Sequence, residues 1–112
     1  MRDILLTFVE GTVRLKIYEI MYIESLRHRI TFHTRGGEYH IYKPLKEIEE
    51  LVEGSNLIRI HKSYIANRKY MKIVKNYETV MSNGTRLPIS KSNYKRVKAL
   101  YRLDLSRGAV QP

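Results

Sequence analysis

Short apolar runs and strict alternation dominate the chain from Ile4 to Tyr42. In Thr12–Ile17, Val13, Leu15 and Ile17 alternate with Thr12, Arg14 and Lys16, the period of a half-buried strand. Ile4–Phe8 and Ile20–Leu26 are more continuous apolar runs, and Glu10-Gly11 is the expected turn after the first of them. In Arg29–Thr34, Ile30 and Phe32 alternate with Arg29, Thr31 and His33, which predicts a strand wet on one face. Gly36-Gly37 then predicts a tight hairpin into Glu38–Tyr42.

Pro44 opens a different period. Leu45, Ile48, Leu51 and Val52 share one helical face and Gly54 follows as a stop, so a short acidic helix is predicted over 44–53 with Pro44 in its first turn. Strand character returns in Leu57–Ile60, in the polar-aromatic segment His61–Arg68, and in Tyr70–Lys75 and Thr79–Ser82. Asn83-Gly84 predicts a two-residue type I′ turn into Arg86–Ile89, because both turn positions must tolerate positive φ. Ser90 is the expected N-cap of a helix over 91–103. Tyr94, Val97, Leu100 and Tyr101 form its apolar side, while Lys91, Lys95, Lys98 and Arg102 line up as a basic stripe on another face. Residues 104–112 have no pattern and are expected to be an unstructured tail behind a single domain over 1–103.

Composition narrows the class. The chain has 112 residues, 43% of them hydrophobic, which suits one globular domain with one core. It has no cysteine, so disulfides and thiolate chemistry are excluded. No apolar run approaches the ~18 residues of a membrane span, and no secretory signal opens the sequence, so a cytoplasmic protein is the default expectation.

Charge changes the picture more. Residues 57–112 hold 13 Lys/Arg and 2 Asp/Glu, a net of +11; residues 1–56 hold 8 and 9, a net of −1; together these give the +10 of the chain. A basic stripe on a lone helix is ordinarily a solvated face. This helix carries no acid before Asp104 to balance it, and Arg59, Lys62, Arg68, Lys69, Lys72, Lys75 and Arg86 add to it. A surface for a polyanion is the better reading.

Catalysis finds no foothold. The histidines at 28, 33, 40 and 61 have no metal-ligand spacing on a helix, so neither a metal nor another cofactor is expected. His33 and His40 are expected on exposed strand faces, and His28 in a basic loop between Arg27 and Arg29. None of the phosphate-loop, dinucleotide or nucleophile-elbow motifs occurs, and the acids are scattered, so an enzyme is not expected. The nine tyrosines read mainly as core and cross-strand packing rather than as base-stacking platforms. On charge alone, a duplex-DNA binder and a small β-rich RNA-binding module are equally served.

Three segments carry a resemblance: IMYIESLRHRITFHT from Ile20 to Thr34, IRIHKSYIAN from Ile58 to Asn67, and NGTRLPISKSNYKRVKALY from Asn83 to Tyr101. In this order and spacing they resemble the LytTR-type DNA-binding domain of bacterial response regulators, over about residues 3–103. The resemblance implies an elongated β–β–β sandwich of about ten short strands in three antiparallel sheets, with two short helices beside it. It also implies sequence-specific binding of double-stranded DNA, with loops from one edge entering successive major grooves. The family's base-contacting positions fall on His28, Lys62 and Ser92, and its phosphate contacts on Arg29, Ser63, Lys91, Asn93 and Lys95. His61 matches a position that supports the loop. Ser92 is short where the family often has Arg, and Lys91 beside it offers the longer reach. Binding to paired direct repeats by a protein that is monomeric in solution is implied, with no membrane involved. The family's usual N-terminal receiver domain does not precede this segment, so either an excised domain or a stand-alone regulator is expected.

Overall fold

The alternating segments pair with their sequence neighbours as hairpins, in a computed structural model that describes residues 2–109. Strands β1 (Asp3–Phe8) and β2 (Gly11–Lys16) form a two-stranded sheet. Strands β3 (Ile20–Leu26), β4 (Arg29–Thr34) and β5 (Gly37–Tyr42) form a meander. After helix α1 (Leu45–Leu51), the hairpin of β6 (Leu57–His61) and β7 (Tyr64–Asn67) joins the free edge of β3, giving a five-stranded sheet ordered β5-β4-β3-β7-β6. Strands β8 (Met71–Lys75), β9 (Glu78–Met81) and β10 (Arg86–Pro88) form the third sheet, and helix α2 (Lys91–Asp104) closes the fold. All pairings are antiparallel, and the domain measures 39 × 29 × 25 Å, so the elongated three-sheet sandwich expected from the sequence is the fold.

The five-stranded sheet is the middle layer because successive residues of β3 and β7 point to opposite faces and both sets are apolar. Ile23 and Ile65 enter one core with Phe8 and Leu15 of the first sheet and Leu45 and Ile48 of α1. Tyr22 and Ala66, one position away on the same strands, enter a second core with Met81 and Leu87 of the third sheet and Val97 of α2. A shift of register between Ile20 and Tyr22 lets β3 serve both cores.

Several local expectations give way. Pro44 lies just before α1 in extended conformation (ψ 139°) rather than inside its first turn. Ser90 takes the N-cap position of α2, but its hydroxyl accepts from the Asn93 side chain at 2.8 Å instead of from the helix backbone. The segment 61–68 is not one strand: it folds back at Lys62-Ser63, a turn without Gly or Pro to announce it. The Asn83-Gly84 loop is not type I′. Met81 and Thr85 close it through a 2.8 Å bond, Gly84 alone takes positive φ (+90°), and the Asn83 side chain accepts from Thr85 N–H at 3.0 Å, the geometry of a three-residue hairpin. Asp104 does not begin a loose tail. It is the last residue of α2, its carboxylate binds the Arg68 guanidinium (Nε–Oδ2 3.0 Å), and a π-helical turn follows over Leu105–Ala109. Residues 110–112 lie outside the described residues.

The one deeply buried amide joins two strands. Asn67 is 1% exposed; its Nδ2 donates to the Ile20 carbonyl at 2.9 Å and its Oδ1 accepts from Lys69 N–H at 3.0 Å. Replacing Asn67 by Ala strands both groups and is expected to cost about 1–3 kcal/mol in urea-induced unfolding. A loss below about 0.5 kcal/mol, the level of an ordinary surface substitution, would remove this bridge as a structural element.

Candidate nucleic-acid interface

Antiparallel pairing decides which turns meet. β3 and β7 are neighbours running in opposite directions, so the end of β3 and the start of β7 share one end of the sheet. The β3–β4 turn (Arg27-His28) and the β6–β7 turn (Lys62-Ser63) therefore project from the same edge, tied by Ser25 N–H donating to the Ser63 carbonyl at 2.8 Å. They stand two strand spacings apart, roughly 10 Å. Ser90 N–H donates to the Ile60 carbonyl at 2.9 Å and fixes the start of α2 beside β6. A shallow groove of about 310 Å³, lined by Arg59, His61, Lys62, Ser90, Ser92 and Asn93, lies between that turn and the helix.

The three positions singled out as base contacts, His28, Lys62 and Ser92, are thus all at this edge and all exposed. Lys62 and Ser92 line one groove; His28 stands across the sheet from them. Of the five positions singled out as phosphate contacts, Arg29, Lys91 and Lys95 are exposed, and Ser63 and Asn93 are half-buried in the loop and helix start. Arg27 and His28 both adopt positive φ (52° and 67°), the type I′ geometry, without a glycine. Lys43 N–H donates to the His28 carbonyl at 3.1 Å and braces the turn from the β5–α1 junction.

The Lys62 turn is held from beneath by Arg59. Its Nε donates to the His61 carbonyl at 2.7 Å, one terminal nitrogen to the Lys62 carbonyl at 2.8 Å, and the other to Glu49 of α1 at 2.8 Å. Arg96 of α2 closes the set, donating to the Arg59 carbonyl at 2.6 Å and to Asn93 Oδ1 at 3.0 Å. His61 contributes from the other side: Nδ1 accepts from Ser63 N–H at 3.1 Å. Burial, then the positive charges of Lys62 and Arg59, hold the imidazole below its ordinary pKa, which keeps Nδ1 available as an acceptor. With its carbonyl occupied from below, Lys62 makes no ion pair among the described residues and its ammonium faces out.

Two sequence expectations about charge need correcting. Arg59 and Arg68 are not phosphate-facing: each is spent on an internal carboxylate, Glu49 and Asp104, and Arg86 pairs with Glu78 at 3.2 Å. Lys69 and Lys72 lie with the end of α2 around a separate cavity at the opposite end of the domain, where Tyr101 donates to the Lys72 carbonyl at 2.6 Å. At the turn edge the acidic half supplies Arg27 and Arg29, with Lys43 behind the turn, 3.9 Å from Glu47, and Lys46 near the start of α1. The Arg-His-Arg run of LRHRI signalled the first two; the lysines were hidden by averaging with Glu47, Glu49, Glu50 and Glu53.

His33 and His40 are half-buried against carboxylates rather than free on strand faces. His33 lies between Glu24 (3.0 Å) and Glu38 (3.1 Å) and stacks on Tyr22 at 4.1 Å, while His40 Nδ1 meets Glu10 at 2.5 Å. That contact and the His40 N–H hold the Glu10 carboxyl below its ordinary value. Among the described residues no group of three potential metal ligands gathers, and no helix is long and apolar enough to cross a membrane.

The family model described as the LytTr DNA-binding domain matches residues 10–102. The chain belongs to the LytTr DNA-binding domain family. It is 34% identical over 74 residues to the transcriptional regulatory protein LytR of Staphylococcus aureus strain N315, covering 62% of this chain and 30% of that protein. It is 25% identical over 108 residues to the sensory transduction protein LytT of Bacillus anthracis, covering 92% of this chain and 44% of that protein. The chain therefore spans less than half the length of these relatives. The LytTr DNA-binding domain of a response regulator from Bacillus cereus has the same fold, with a TM-score of 0.74 at 23% identity, over 89% of this chain and 96% of that one.

The His61 contact makes a pH prediction. In the unfolded chain the imidazole takes up a proton near pH 6.5, and in the folded chain only at lower pH. The folded state thus loses stability as pH falls below about 6.5, until the folded imidazole itself titrates. His61→Gln, which cannot take up that proton, should show a flatter dependence in denaturant unfolding between about pH 7.5 and 5.5, the remaining groups being common to both proteins. Parallel curves for the two proteins would contradict the assignment.

Proposed function

We propose that this domain binds double-stranded DNA sequence-specifically, as the DNA-reading part of a bacterial transcriptional regulator. The observation that carries the reading is the convergence of the Arg27-His28 turn, the Lys62-Ser63 turn and the start of α2 on one edge, each presenting exposed basic or polar side chains. The relative named as a transcriptional regulatory protein supports it. In this reading His28, Lys62 and Ser92 reach base edges in the major groove, with Lys91 as the longer neighbour of Ser92. Arg29, Ser63, Lys91, Asn93 and Lys95 hold the flanking phosphates. The turns carry specificity and the cations carry affinity, the usual division between base and backbone contacts.

Arg59 and Glu49 position Lys62 without touching DNA. Electrostatics alone would have Glu49→Gln tighten binding to a polyanion, since it removes a negative charge beside the edge. Positioning has the opposite sign, because the Arg59 guanidinium loses its charged anchor.

Two copies on paired direct repeats, each contacting its own half-site, fit an edge with no long apolar partner surface. Inserting half a helical turn between half-sites should then lower joint occupancy and leave single-site binding intact; equal loss of both would exclude independent half-site binding. A receiver domain on the same polypeptide would supply regulation.

Binding to a duplex selected from a random pool should fall with salt at a log–log slope of about −5, for roughly six neutralised phosphates. His28→Ala and Lys62→Ala should each cost about 1–3 kcal/mol on that duplex and much less on random DNA, whereas Lys95→Ala should weaken both alike. Glu49→Gln should weaken the selected duplex. A flat salt response, or preference for structured RNA in competition, would overturn the proposal.

A further inference from the structure

A third turn, the fourth element of the set, lies at the same edge. Strands β8 and β9 are joined by Asn76-Tyr77, with Lys75 paired to Glu78 across the hairpin. Tyr77 accepts at its carbonyl from Ile89 N–H at 2.8 Å, and its ring packs against Tyr94 of α2 at 4.3 Å between centroids, tilted by 34°. Ile89 and Tyr94 flank the start of α2, so this hairpin stands immediately beyond Lys91, Ser92 and Asn93. Along the edge the order becomes the Arg27-His28 turn, the Lys62-Ser63 turn, the α2 start and the Asn76-Tyr77 turn.

This turn repeats the conformation of the His28 turn. Asn76 and Tyr77 both adopt positive φ (54° and 59°), and no other non-glycine residues among those described do so except Arg27 and His28. Asparagine tolerates that region; a bulky aromatic residue does so against its steric preference, and such residues gather where a site holds them for use. Packing against Tyr94 accounts for one face of the Tyr77 ring, yet the residue remains 50% exposed, and Lys75 and Asn76 are exposed beside it. The chemistry is that of an anion contact. Lys75 makes no ion pair among the described residues, and Lys98 lies 4.8 Å over the Tyr94 ring. The one acid of the hairpin, Glu78, is engaged by Arg86.

We propose that the Asn76-Tyr77 turn, with Lys75, is a fourth DNA contact that grips the phosphodiester backbone outside the segment reached by the start of α2. The proposal rests on the DNA-binding reading and extends its footprint in one direction. The phosphate receives the Asn76 amide, the Tyr77 hydroxyl and the Lys75 ammonium, and no base is read there.

The test uses the whole chain on the selected duplex, with Lys62→Ala as the reference. Asn76→Asp keeps a residue that tolerates positive φ and places a negative charge at the tip; it should weaken both selected and random duplexes about tenfold at low salt while leaving the unfolding midpoint in place. Tyr77→Phe keeps the packing against Tyr94 and removes only the hydroxyl, and should weaken both duplexes about threefold. Lys75→Ala should make the salt slope shallower by about 1, and the hydroxyl-radical footprint should lose its outermost protected phosphates on the α2 side. If Lys62→Ala loses selected-duplex affinity while Asn76→Asp and Lys75→Ala bind as the parent does, the fourth contact is wrong and the DNA reading stands. If none of the variants changes binding, both fall together.

Discussion

The middle sheet must be covered on both faces, and that constraint shapes everything else. Ile23 and Ile65 on one side, and Tyr22 and Ala66 on the other, commit β3 and β7 to two separate cores. The first sheet with α1, and the third sheet with α2, are the layers that satisfy them. With both faces of β3 and β7 buried, the centre of the sheet offers no face for recognition. What remains free are its ends, and on one of them antiparallel pairing collects the turns. The gathering of turns at that end, on which the proposed reading of DNA rests, thus follows from where the hydrophobic residues had to go.

A recognition edge built of turns needs stiffening, and the polar side chains near it supply that. Arg59 spans α1, the Lys62 turn and, through Arg96, the start of α2. His61 and the Lys43 N–H hold the backbone of the two turns from opposite sides. Arg59 and Arg96 are charged and lie beside the proposed interface, yet their bonds point inward. The exposed cations, Lys62, Arg29, Lys91 and Lys95, are left to meet a partner. In the proposed reading, affinity and geometry are carried by different basic residues, a division that net charge cannot reveal.

Strand positions were legible because period and burial coincide: Val13 and Leu15, or Ile30 and Phe32, read the same way in the sequence and in the fold. The helices were legible for the same reason. The turns were not. Asn83-Gly84 carries the strongest type I′ signal, yet the Asn83 side chain bonds Thr85 and draws the loop into a three-residue form. Arg27-His28 and Asn76-Tyr77 adopt positive φ without glycine, so nothing local announced them. Side-chain pairing was equally hidden, since Arg68 with Asp104, and His33 with Glu24 and Glu38, are brought together only by strand order and helix packing. The candidate contacts at His28, Lys62 and Ser92 became visible through a resemblance spread over three segments rather than through any one of them.

The central claim is that the turn edge, and not the basic cavity at the opposite end, meets DNA. Backbone amide chemical-shift mapping of the labelled domain during titration with a duplex selected from a random pool tests it most directly. The account predicts that shifts concentrate at Arg27–Arg29, Lys62-Ser63 and Lys91–Lys95, with Lys69, Lys72 and Arg107 left in place. Shifts concentrated at Lys69, Lys72 and Arg107, with the turns unmoved, would contradict it.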